Sequence, residues 1–110
     1  MKPDVPAASF MLCVLTMILF LLPACNRTPK GNPADGVRWF RMHRCNGCHG
    51  EGGRGARGPA IDSSNISFDH FLSKLRNPNS AVMPTFPPSA VSEQDAADIY
   101  LWLKKQNKKT

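Results

Sequence analysis

Four shortages narrow what this chain can be. Acidic residues are scarce, with eight Asp and Glu against 14 Lys and Arg over 110 residues, a formal net charge of +6. No segment alternates apolar and polar residues as a half-buried strand does, which excludes a sheet protein. The longest uncharged apolar run, Phe10 to Leu22, has only thirteen residues, too few for a comfortable membrane span. Cysteine occurs four times, and there is no second C-x-x-C to complete the four ligands of a structural zinc site. Internal repeats and low-complexity tracts are also missing.

What is present begins with a targeting segment. Thirteen apolar residues suit the h-region of a signal peptide, and the region before them is weakly basic, Lys2 being offset by Asp4. The run closes on Leu22-Pro23-Ala24-Cys25, which is not an A-x-A site because Leu22 holds the −3 position. It resembles a bacterial lipobox, in which the cysteine becomes the lipidated first residue of the mature protein. Residues 1–24 are then the signal peptide and Cys25 the lipidation site. An uncleaved anchor and ordinary cleavage to a free protein are the alternatives. All three put the rest of the chain outside the cytoplasm. Lipidation would anchor it to a membrane through Cys25, on the periplasmic side.

Residues 25–33 are polar and carry two prolines and a glycine, the composition of a flexible tether. Residues 34–110 then form one domain, since the 86 residues from Cys25 onward are too few for two. A core this small benefits from a staple.

The staple is written at Cys45-Asn46-Gly47-Cys48-His49. C-x-x-C-H is the attachment pattern for c-type haem, and its spacing has a chemical reason. On a helical turn, positions i, i+3 and i+4 face one side. Cys45 and Cys48 can both reach the haem vinyl groups as thioethers, and His49 can offer an imidazole nitrogen to the iron. The expected cofactor is one haem c, covalent through Cys45 and Cys48. Zinc would need ligands the chain lacks, and a thioredoxin-like pair would need a βαβ context that the Gly- and Arg-rich flanks do not provide. With Cys13 inside the apolar run and Cys25 at its end, the body of the chain holds no other thiol.

Three helices can be placed, and the fold class is all-α. The first is expected from about Ala34 to Cys45, with Val37, Trp39, Phe40 and Met42 apolar and Arg38, Arg41 and Arg44 between them. The second follows Ser67, a good N-cap, and carries Phe68, Phe71, Leu72 and Leu75 at i, i+3, i+4 and i+7 before Pro78 stops it. The third opens on a capping box, Ser92 to Asp95, and its buried stripe is Ala96, Ile99, Tyr100 and Leu103. Lys104, Lys105, Lys108 and Lys109 crowd its C-terminal end, where the helix dipole favours cations. Six of the eight glycines fall between Gly47 and Gly58, a segment suited to close backbone approach to a flat ligand.

The second axial ligand follows by elimination. Met1, Met11 and Met17 belong to the targeting segment, and Met42 is expected to pack in the core. Met83 remains, in the proline-rigid stretch Met83-Pro84-Thr85-Phe86-Pro87-Pro88. His43 and His70 are its rivals. His43 is too near the attachment motif to cross to the far face, and His70 lies off the apolar stripe of its helix.

Residues 34–106 together resemble a class I cytochrome c of the small bacterial monohaem type. The resemblance implies a cytochrome c fold, about three main helices wrapped around one haem. It assigns haem binding to Cys45, Cys48, His49, Met83 and Pro59, and the iron to His49 and Met83. Gly58-Pro59 is similar to the family's Gly-Pro, where the proline carbonyl accepts a hydrogen bond from the proximal histidine. Gly36 and Phe40 are similar to the Gly and aromatic of its first helix, with Tyr100 matching the aromatic of the last. Only 34 positions separate His49 from Met83, fewer than in mitochondrial-type members, so more haem edge should be exposed. Arg76 and Trp102 are the candidates for a haem propionate.

The expected function is one-electron transfer and not catalysis, because both axial positions are filled and no small-molecule substrate finds an open site on the iron. From Cys25 onward 13 Lys and Arg face seven Asp and Glu, a balance that suits redox protein partners with an acidic docking surface. Nucleic acid is the wrong partner for this compartment. Two other readings stay open. The chain is a haem subunit of a larger respiratory, nitrogen-oxide or sulfur-oxidising complex, or it is a haem sensor or peroxidase-like enzyme if Met83 is labile.

Overall fold

The computed structural model describes residues 7–19, 29–62 and 65–109. Its described residues form five helices and no strand. α1 (Ala7–Leu19) carries no charge, and residues 11–17 are all exposed. Among the described residues no helix is long and apolar enough to cross a membrane. Leu22 to Cys25, where the lipidation site is expected, lie outside the described residues.

α2 (Pro33–Met42) starts where its sequence allows. Asn32 caps it, its side chain accepting from the Ala34 amide at 3.1 Å, and Pro33 stands in the first turn, where the missing amide costs nothing. The helix ends three residues earlier than its pattern suggests. Arg44 adopts the left-handed conformation (φ 59°), and the chain restarts as a separate turn, α3 (Cys45–His49). A non-glycine residue rarely sits there, and nothing in the local sequence announces it.

α4 (Phe68–Arg76) is capped by Ser67, whose hydroxyl accepts from the His70 amide, and it buries Phe68, Phe71 and Leu75. α5 (Glu93–Asn107) opens on the complete capping box. Ser92 Oγ accepts from the Asp95 amide at 3.0 Å, and Asp95 returns a bond to the Ser92 amide at 3.3 Å.

α5 packs on two sides. Toward α2 it presents Asp98 and Trp102. The Trp102 ring lies 4.8 Å from that of Phe40, which is fully buried. Toward α4 it presents Tyr100, 5.5 Å from Phe68 and 5.6 Å from Phe71. The aromatic that meets Phe40 is therefore Trp102 and not Tyr100. The Tyr100 hydroxyl instead donates to the Ile66 carbonyl at 2.9 Å and secures the approach to α4.

Gly36 makes the α2–α5 crossing possible. A Cβ there would overlap the Asp98 carbonyl and lie 2.7 Å from Trp102 Cβ. The obstacle is backbone, so it cannot rotate away. Gly36→Ala should destabilise the holoprotein by about 3 kcal/mol, the upper end for overpacking. Gly47 on α3 meets nothing within 4 Å, so Gly47→Ala should leave stability unchanged or raise it by up to about 1 kcal/mol. Denaturant unfolding of the two variants checks the contrast, and equal midpoints would refute the crossing as the weak point.

Candidate functional site

α3 carries the attachment motif on a little more than one turn. Its residues Cys45, Cys48 and His49 stand at i, i+3 and i+4, and both cysteines are free thiols. Cys45 is half-buried and rests against the core, whereas Cys48 is exposed. Burial pushes the Cys45 thiol up to about 11; the charge on Cys48 adds to this, and a backbone hydrogen bond opposes it. Before haem is attached, this lowers the thiolate fraction of Cys45 and disfavours disulfide exchange there.

His49 is oriented from behind. Its Nδ1 lies 2.8 Å from the carbonyl oxygen of Pro59. A carbonyl can only accept, so Nδ1 carries the proton and donates. Nε2 keeps its lone pair and is the ring atom available to a metal. The loop closes tightly over the ring. Gly58 donates its amide to the Cys48 carbonyl at 2.7 Å, and a Cβ at Gly58 would press to 3.2 Å from His49 Cε1. An alanine here would require the ring or the Cys48 carbonyl to give by a few tenths of an ångström. Further bonds, Gly55 to His49 O at 2.8 Å and Ile61 to Gly53 O at 2.7 Å, make the glycine segment a folded loop.

Glu51 ties this loop to α2. It accepts from Asn46 Nδ2 at 2.7 Å and Arg41 Nε at 3.2 Å, and these bonds hold its carboxyl below the usual carboxylate range.

Met83 is half-buried and packs against the core with Phe86. Its amide donates to Ser80 Oγ at 3.1 Å, as does that of Val82. Phe86 N donates to the Leu75 carbonyl at 2.8 Å. Arg76 Nη1 donates to the carbonyls of Phe86 and Val91, each at 2.8 Å.

The other candidates fall elsewhere. Met42 is 58% exposed, a correction to its expected place in the core: α2 ends at this residue, so its side chain projects beyond the α2–α5 contact. His70 is exposed. His43 is half-buried, its ring edge-on to Phe86 at 6.0 Å. Trp102 packs against Phe40 with its ring tilted by 48°, and Arg76 Nη1 is committed to two loop carbonyls.

The arrangement fits a haem. Two unpaired thiols and an oriented imidazole nitrogen share one helical turn, and a half-buried thioether stands on the loop after α4. Among the described residues no group of three or more His, Cys, Asp or Glu could hold a metal ion, so the zinc reading has no ligand set there.

Pattern reading missed Asp98. This carboxylate is 5% exposed. Its Oδ1 accepts from the Asn32 amide at 2.7 Å and Gln94 Nε2 at 3.1 Å, and its Oδ2 accepts from Trp39 Nε1 at 3.2 Å. Gln94 Nε2 also donates to the Lys30 carbonyl at 3.1 Å. Lys30 and Asn32, near the end of the expected tether, are thus held against α5. The signal was an acidic residue set directly between Ala97 and Ile99, two positions of an otherwise buried helix face.

A family model described as cytochrome c oxidase, cbb3-type, subunit III matches residues 31–103. No curated protein and no solved structure matches the chain.

Proposed function

The chain belongs to the cbb3-type cytochrome c oxidase subunit III family, and from that membership we propose a one-electron carrier with a single haem c and His/Met axial ligation. It is a small cytochrome c domain of all-α fold, its chemistry is haem-based electron transfer, and such domains are typically extra-cytoplasmic. Haem iron supplies the one-electron couple, and a Met/His pair raises its potential.

The chain's own residues do the rest. Cys45 and Cys48 hold the group covalently from one helical turn. His49 presents Nε2, and the Pro59 carbonyl fixes its tautomer and strengthens it as a ligand. Met83 supplies the weak thioether from a loop that its neighbours hold in shape. The observation that carries the reading is the 2.8 Å bond from His49 Nδ1 to Pro59 O, directly behind the cysteine pair. Exposed arginines on α2 and the lysines ending α5 favour partners with an acidic docking surface.

A second reading is favoured by the family description itself: the domain serves as the haem subunit of a larger respiratory oxidase. Purification under native conditions separates the two. A carrier elutes at the size of one chain, whereas a subunit travels with an oxidase. The sensor or peroxidase reading requires Met83 to leave the iron readily.

Anchoring is proposed through Cys25. Mass spectrometry of the mature N-terminus should find a lipid-modified Cys25 as the first residue, and Cys25→Ser should release the protein from the membrane fraction. A free Cys25, or a retained segment from Met1 to Ala24, would refute the anchor.

A further inference from the structure

We propose that Arg76 is the positioning residue that keeps the Met83 loop closed, through its guanidinium bonds to the Phe86 and Val91 carbonyls. The proposal rests on Met83 as the distal ligand. The loop between α4 and α5 contains Pro78, Pro84, Pro87 and Pro88, four positions with no amide to donate. It cannot close through a ladder of its own. Of its backbone amides, Phe86 reaches back to Leu75 O, and Ala90 and Val91 turn onto Pro87 O. The remaining donor comes from a side chain. Arg76, at the last residue of α4, spans 10 and 15 positions forward to reach the two carbonyls at 2.8 Å each. Val91 is buried, so its carbonyl would lack a partner without that reach.

Met83 therefore lies between two fixed points. Ser80 Oγ accepts from the amides of Val82 and Met83, and the guanidinium holds Phe86 three residues later. A thioether is a weak ligand, so its occupancy depends on how seldom the loop opens. A competing ligand binds only the open state, and its apparent affinity scales with the open fraction. Losing a charge-assisted hydrogen bond should raise that fraction about tenfold. The planar fork matters as well as the charge, because one nitrogen must meet two carbonyls in a fixed geometry. Lysine offers a point charge on a different stem.

The test is imidazole titration of the ferric holoprotein, followed by loss of the near-infrared thioether band, in wild type, Arg76→Gln, Arg76→Lys, Met83→Ala and the double variant Arg76→Gln/Met83→Ala. Both Arg76 variants should bind imidazole about tenfold more tightly than wild type, and Arg76→Gln should add nothing once Met83 is gone. For the Met83→Ala pair, which has no band, the Soret shift is read. Wild-type affinity in Arg76→Gln would overturn the proposal. So would restoration by Arg76→Lys, which would assign the role to charge alone, as at a propionate. An unchanged effect in the Met83→Ala background would overturn it too. Absence of the band from wild type, or equal imidazole affinity in wild type and Met83→Ala, sinks the Met83 ligation reading itself and is distinguishable from all three. Should Arg76→Gln not accumulate, Arg76→Lys carries the same comparison alone.

Discussion

Replacing Met83 by alanine should erase the weak near-infrared band of thioether ligation to ferric haem and lower the reduction potential. The drop should be on the order of a tenth of a volt or more, within the ~0.8 V that axial ligands span. The vacated position should then accept cyanide, and carbon monoxide in the reduced protein. Met83 is half-buried, its amide is fixed on Ser80, and it packs beside Phe86. Met42 is the natural control. It is the only other methionine outside the targeting segment, and it is exposed at the end of α2. Met42→Ala should leave the band in place and change stability by no more than about 0.5 kcal/mol, as at other exposed positions. A spectrum unchanged by Met83→Ala would move the distal ligand elsewhere. Ready carbon monoxide binding by reduced wild type at neutral pH would favour the sensor or peroxidase reading.

The second large effect concerns Cys45 and Cys48. After acid–acetone extraction the haem should stay with the polypeptide, whose mass should exceed that of the chain by one haem. Cys45→Ser or Cys48→Ser should each leave one thioether, and the double substitution should leave none. The double variant should also fail to accumulate as a folded protein. Among the described residues the buried core is nine apolar side chains, three of them alanine or valine, which is little for a domain of this size. The two single variants should differ. Cys45 rests half-buried against the core, so a serine there also places a hydroxyl in an apolar setting. Cys48 is exposed, and its loss should cost only the bond. Haem that extracts freely, or bound zinc in its place, would sink covalent attachment.

α4 and α5 are legible because their signals are local. Ser67 and the Ser92–Asp95 box mark their starts, and the spacing of Phe68, Phe71 and Leu75 marks a face. The turn from Cys45 to His49 is legible for the same reason. What escaped was set by tertiary contacts. The break before Cys45 depends on a left-handed arginine, a conformation that sequence assigns to glycine or asparagine. The choice of Trp102 over Tyr100 against Phe40 follows from α5 packing on two sides, which a single apolar stripe does not express. Asp98 reads as a solvated charge until the Asn32 amide and the Trp39 indole N–H are seen to converge on it. The reach of Arg76 ends on carbonyl oxygens, which every residue has and no pattern marks.

The lock of Asn32 on Asp98 bears on how the domain would find its partners. With Cys25 as the proposed anchor, only five peptide steps separate it from Lys30, a span of at most about 18 Å even when fully drawn out. Encounter becomes a search in two dimensions, confined to a thin layer above the lipid. Within that layer a redox port at matching height meets a high local concentration, and one standing further out is beyond reach at any affinity. Lengthening the stretch between Arg27 and Lys30 with Gly-Ser repeats would thicken the layer, and the rate of electron delivery to each partner should report the height of its port.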